Sequence, residues 1–126
     1  MRNKYHNTKK QIDGIWFDST KEGNYYLYLK QLADEGKISN LRLQVPYQII
    51  PAVYVEEVKH LKTKDKIVQR CIQRATHYVA DFVYTVTDTG LEEVVDVKSE
   101  ITRKNPEYRL KKKMMLAFNN IQIKEV

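Results

Sequence analysis

A chain of 126 residues, 42% hydrophobic and 30% charged, is the size of one domain and can bury a core, so a single folded domain is expected rather than a disordered polymer. Its 22 Lys and Arg outweigh 16 Asp and Glu, for a formal charge of +6, so nucleic acid is the commonest partner such a surface favours. The lone Cys71 excludes an internal disulfide and a cysteine-based zinc site, and no apolar run approaches the roughly 20 residues that span a bilayer.

Residues 1–14 read as a basic arm. Its opening, Met1 to Lys10, is polar and lacks the apolar segment of a signal peptide, so a soluble, cytoplasmic protein is expected. Ser19-Thr-Lys-Glu22 has the form of a capping box, and a helix is expected from Thr20 to Glu35. Tyr25, Tyr28, Leu29, Leu32 and Ala33 would form its apolar stripe, with Gly36 at the C-terminal cap. Leu41, Leu43 and Val45 alternate with polar residues in a strand that Pro46 should end, and an extended segment, Tyr47 to Glu57, should follow. The Lys-rich stretch 58–74 lacks a period and reads as a long loop or a protruding hairpin. Ala75–Val86 and Leu91–Ile101 then make a β-hairpin around the turn Thr87-Asp-Thr-Gly90. Pro106 opens a helix that Asn119-Asn120 ends, with Tyr108, Leu110, Met114, Met115 and Phe118 as its apolar residues. Ile121, Ile123 and Val126 suggest a last strand. The order is helix, strand, strand, strand, helix, strand, an α/β fold with a mixed sheet flanked by helices.

Two acids sit inside the apolar hairpin strands: Asp81 in Val79-Ala-Asp-Phe-Val83 and Asp96 in Val94-Val-Asp-Val-Lys98. Asp is a poor strand former, so each needs a local reason. If Asp88-Thr89 is a two-residue loop, Asp81 faces Asp96. If Thr89-Gly90 is the loop, Asp81 faces Lys98 and lies diagonal to Asp96. Either way, period-two alternation puts Asp81, Asp96 and Lys98 on one face. Opposed carboxylates repel unless a cation stands between them, and two hard oxygen donors with solvent access suit Mg²⁺, for which Mn²⁺ substitutes. Lys98 reaches the same place and could orient the attacking water or stabilise charge on phosphorus. The competing reading is a solvated strand face with an Asp81–Lys98 ion pair.

At these residues the sequence resembles the PD-(D/E)xK nuclease superfamily. Phe17-Asp-Ser-Thr-Lys-Glu22, Leu41-Arg-Leu-Gln44, Tyr78-Val-Ala-Asp-Phe-Val-Tyr84 and Asp96-Val-Lys98 are also similar to a family of small phage and prophage proteins related to junction-resolving endonucleases. The resemblance runs from about Tyr5 to Val126. It implies a restriction-endonuclease-like αβββαβ core and Mg²⁺ held by Asp81, Asp96 and the Val97 carbonyl. It also implies Lys98 as the catalytic lysine, with Glu22 completing the acidic cluster. Ala80 stands where the motif has Pro. The activity implied is metal-dependent DNA cleavage, on branched or linear substrates, by a cytoplasmic enzyme that a homodimer would suit. A non-catalytic DNA-binding module on the same fold is the alternative.

Glu22 has a second reading, as the N3 residue of the capping box. Gln44 could contact the site or a phosphate, or face solvent. Arg103, Lys104, Arg109 and Lys111-Lys-Lys113 form the densest basic cluster, just after the proposed site. They read either as phosphate contacts, joined by Thr102 and Tyr108, or as the solvated face of a helix. His6, His60 and His77 show no metal-ligand spacing.

Overall fold

A computed structural model describes residues 8–126; of the basic arm expected over 1–14, residues 1–7, His6 among them, lie outside the described residues. The fold is mixed α/β. Strands β1 (Lys10–Ile12) and β2 (Ile15–Phe17) precede helix α1 (Thr20–Asp34). Strands β3 (Ile38–Ile50), β4 (Val53–His60), β5 (Asp65–Gln73), β6 (Thr76–Val86) and β7 (Glu92–Asp96) follow. Helices α2 (Glu100–Arg103) and α3 (Pro106–Asn119) and strand β8 (Ile123–Glu125) close the chain. The main sheet has the order β3-β6-β7-β8; its first three strands run antiparallel, and β8 lies parallel to β7.

The second half of the expected arm is a hairpin instead. Asp13 and Gly14 both have positive φ, the requirement of a tight two-residue turn between Ile12 and Ile15. Asp13 accepts hydrogen bonds from Tyr26 (3.0 Å) and Lys30 (2.7 Å), which tie the hairpin to α1. The hairpin lies so close that a Cβ on buried Gly23 would stand 3.2 Å from the Ile12 side chain.

Ser19 caps α1 by accepting from the Glu22 N–H at 3.1 Å, and Gly36 (φ 75°) follows the end of the helix. Its buried face carries Glu22, Gly23, Tyr26 and Leu29. Tyr28, expected on the stripe, is exposed, because the helix is rotated to turn Glu22 inward. Pro46 does not end β3; it pairs with Val79 within a 13-residue strand. β3 is the sheet's edge, where a residue without an N–H loses no ladder bond on the solvent side. The segment expected as one extended run after Pro46 is thus the end of β3, a break at Pro51-Ala52, and β4.

β4 and β5 form their own two-stranded sheet, a hairpin arm exposed on both faces. In the central hairpin, Phe82 pairs with Val95 and Thr85 with Glu92. That is the register expected for an Asp88-Thr89 loop, not for Thr89-Gly90, but the loop is the whole of Thr87–Gly90, closed by Gly90 N–H to the Val86 carbonyl at 2.8 Å. β7 stops at Asp96, not Ile101. Ser99 accepts from the Thr102 N–H and starts α2 there, since a Ser that caps cannot also continue a ladder.

Two cores flank the sheet. Phe17, Tyr26, Leu29, Ile38, Phe82, Tyr84 and Val95 fill the α1 side. Tyr78, Ala80, Val83, Val94, Met115 and Ile123 lie on the α3 side. Leu110 and Phe118, expected in the α3 core, are exposed. Strict alternation would leave Leu43 and Val45 on one side, and Ala80 and Phe82 likewise. Instead Leu43 and Phe82 pack with the α1 core, Val45 and Ala80 with the α3 core. The alternation changes phase on both strands at Gln44 and Asp81, and that is where the polar residues gather.

Candidate metal and nucleic-acid site

Five side chains from four elements meet at the phase change. Glu22 comes from the first turn of α1, Gln44 from β3, Asp81 from β6, Asp96 from the end of β7 and Lys98 from just beyond it. The β6–β7 ladder stops at Phe82–Val95, and just beyond it the Asp81 carboxyl adjoins that of Asp96. Gln44 has φ 51°, a left-handed conformation that costs a non-Gly residue about 1 kcal/mol or more. In it, the Gln44 amide donates to Glu22 Oε1 (3.3 Å) and Asp81 Oδ1 (3.4 Å), bridging the helix to the hairpin. Glu22 is thus engaged twice: its N–H serves the cap and its carboxylate faces the hairpin.

Asp81 Oδ2 accepts from the Val97 N–H at 2.9 Å, fixing that peptide beside the carboxylates. Asp96 is 1% exposed. Its Oδ2 accepts from the Tyr78 hydroxyl, while its Oδ1 is buried without a hydrogen bond. The Lys98 ammonium stands 3.4 Å from that oxygen, close enough for charge attraction but not aligned as a donor. Lys98 also lies over the Tyr108 ring, 4.9 Å from its centroid, and Lys21 donates to the Lys98 carbonyl at 3.0 Å.

The electrostatics are those of crowded acids. Burial, then the adjoining Asp96 carboxylate, pushes the Asp81 carboxyl up to about 8, against some relief from the Val97 N–H. Burial first, then Asp18 and Asp96, raises Glu22 as well. Burial and the Asp96 carboxylate hold the Tyr78 phenol far above its usual range, so it stays a donor.

Among the described residues, no three acidic, His or Cys side chains form a ready-made metal cage. Magnesium does not require one: it binds through one or two carboxylates and keeps several waters. The Asp81–Asp96 pair supplies two hard oxygen donors, and among the described residues Asp96 Oδ1 is a buried acceptor with no hydrogen bond, faced only by the Lys98 ammonium. These residues fit a hydrated divalent ion.

The basic residues divide. Thr102, Tyr108 and Lys111 line one cavity with Asp96, Lys98 and His77. Arg103 and Lys112 point to the neighbouring groove, where both pair with Glu125. Lys104, the exposed C-cap of α2, lines neither. Sequence reasoning missed Tyr78 and Lys21 as site residues. Tyr78 meets Asp96 across 18 residues and Lys21 meets the Lys98 carbonyl across 77; neither contact has a local sequence signal.

No curated protein and no solved structure matches the chain. Among the described residues, no helix is long and apolar enough to cross a membrane. One family covers residues 2–126, and the chain belongs to it: the family described as protein of unknown function DUF1064.

Proposed function

We propose that this protein is a metal-dependent DNA endonuclease that hydrolyses phosphodiester bonds, built on a restriction-endonuclease-like core of the PD-(D/E)xK type. The observation that carries the reading is the meeting of Asp81, Asp96 and Lys98, with Glu22 and Gln44 behind them, around a buried Asp96 oxygen that accepts no hydrogen bond among the described residues. With β1, β2, the β4–β5 arm and the short α2 set aside, the order α1, β3, β6, β7, α3, β8, with β8 parallel to β7, supports reading an αβββαβ succession here.

Hydrolysis adds water to phosphorus: one P–O bond forms, the bond to a deoxyribose oxygen breaks, and that oxygen takes up a proton. Asp81 and Asp96 would hold Mg²⁺, which when bound supplies charge neutralisation and a more acidic water. Gln44 holds Asp81 in place, and the Val97 N–H fixes its other oxygen. Tyr78 locks the Asp96 rotamer from the buried side. Lys98, pinned between Asp96 and the Tyr108 ring, is placed to donate to a phosphate oxygen or the attacking water. Lys111, on the rim of the same cavity, can contact the backbone of the bound strand.

The test is incubation with branched and linear duplex DNA in Mg²⁺, Mn²⁺ or EDTA. Cleavage in either metal and none in EDTA is expected. Binding without cleavage in any metal contradicts the enzyme and favours the non-catalytic binding module.

A further inference from the structure

We infer that the β4–β5 arm is a duplex-binding ribbon that grips DNA on the flank of the carboxylate site. The inference rests on the reading of DNA as the substrate and adds the surface that holds it.

The arm prolongs the main sheet. Gln48 pairs with His77 in β3–β6 and Tyr54 with Cys71 in β4–β5, so the register resumes beyond the break at Pro51-Ala52. Eight residues of β4 reach about 25 Å from that root. Among the described residues, the arm's two strands pair only with each other. A two-stranded ribbon alone is marginal in water, so its length is unexplained by packing. Its root adjoins the proposed site: β6 resumes at Thr76, and His77, Tyr78 and Val79 line the cavity of Asp96 and Lys98.

Charge identifies the occupant. Four of the eight residues from Lys59 to Lys66 are lysines: Lys59, Lys62, Lys64 and Lys66. All four are exposed, and among the described residues none forms an ion pair; Asp65 is taken by His60 at 2.7 Å and Glu57 by Arg70 at 3.0 Å. Lys59 and Lys66 stand directly opposite each other, a pairing that costs stability unless an anion lies against it. The turn between them is closed by the Leu61 N–H to the Lys64 carbonyl at 2.9 Å, which presents Lys62 and Lys64 at the tip. A two-stranded ribbon fits the major groove of a duplex, about 12 Å wide, with phosphates on both walls. The base of the arm then stands where the scissile strand enters the carboxylate cavity.

The experiment compares the wild type with K59Q/K62Q/K64Q/K66Q. Binding of a fluorescent 30-base-pair duplex is followed by anisotropy in EDTA between 50 and 200 mM KCl. Each phosphate contact contributes about 0.9 to the slope of log K against log salt. The variant should lose about 2–4 units of that slope and bind more weakly by roughly 100-fold or more at 100 mM KCl. Its melting temperature should hold or rise slightly, since the opposed Lys59 and Lys66 charges are gone. In Mg²⁺ its KM should rise while kcat holds, because the site itself is untouched. Restoring charge with four arginines should restore the slope. A variant that binds with the wild-type slope and affinity overturns the arm alone. A wild type that binds no DNA at 50 mM KCl overturns the DNA reading as well.

Discussion

Asp96→Asn is expected to reduce magnesium-dependent DNA cleavage by at least about a thousandfold while leaving the fold intact. Loss of a metal clamp removes several kcal/mol of transition-state stabilisation, and about 4 kcal/mol is a thousandfold. Asn keeps the shape of the side chain and an oxygen for the Tyr78 hydroxyl, so the buried hydrogen bond survives. It also removes the charge that pushes up Asp81. The apoprotein should therefore stay folded and melt close to the wild-type temperature, the relief at Asp81 offsetting the lost attraction to Lys98. Single-turnover cleavage and calorimetric melting on the same preparation check both halves. Retained cleavage in pure variant removes Asp96 from the reaction; lost cleavage with a collapsed fold would make its role structural.

The second large effect is a stability that depends on pH and metal together. The folded protein holds the Asp81 proton up to about 8, while the unfolded chain releases it near the ordinary 3.8. Between these values the native state binds more protons than the unfolded one, so without metal its stability falls as pH rises from about 4 to about 8. Shared among coupled acids, the loss should be on the order of 1–3 kcal/mol. A divalent cation needs the carboxylate ionised, so its binding expels the proton. The gain in melting temperature from 10 mM Mg²⁺ should therefore grow between pH 6 and pH 8. Asp81→Asn should flatten both trends. A magnesium effect that ignores pH, or one that persists in Asp81→Asn, contradicts the joint ligation.

Much of this arrangement could be read from the residues. Asp in apolar strands, a capping Ser19 three residues before Glu22, Pro106 after Asn105 and a turn at Thr87–Gly90 are local signals, and each stands where local physics puts it. The register observed, with Phe82 opposite Val95, is one of the two the turn allows. What could not be read is non-local. Period-two reasoning assumes that one strand keeps one face to the core, and the phase change at Gln44 and Asp81 breaks that assumption on two strands at once. Nothing in Leu43-Gln-Val45 announces a left-handed Gln44, because the hydrogen bonds that stabilise it come from Glu22 and Asp81, 22 and 37 residues away. The basic run after Lys98 was legible as charge. Its division between two cavities was not, since Glu125 on β8 draws Arg103 and Lys112 aside. Pro46 misled for a related reason: whether a strand tolerates proline depends on its being an edge, which is a property of the sheet.

The most direct measurement is the anomalous scattering of a crystal of the wild-type protein soaked in millimolar Mn²⁺. A peak about 2.1 Å from carboxylate oxygens of both Asp81 and Asp96, and absent from Asp96→Asn crystals, is the expected result. A peak elsewhere on the surface, or none between these two side chains, would contradict the claim that they share an ion.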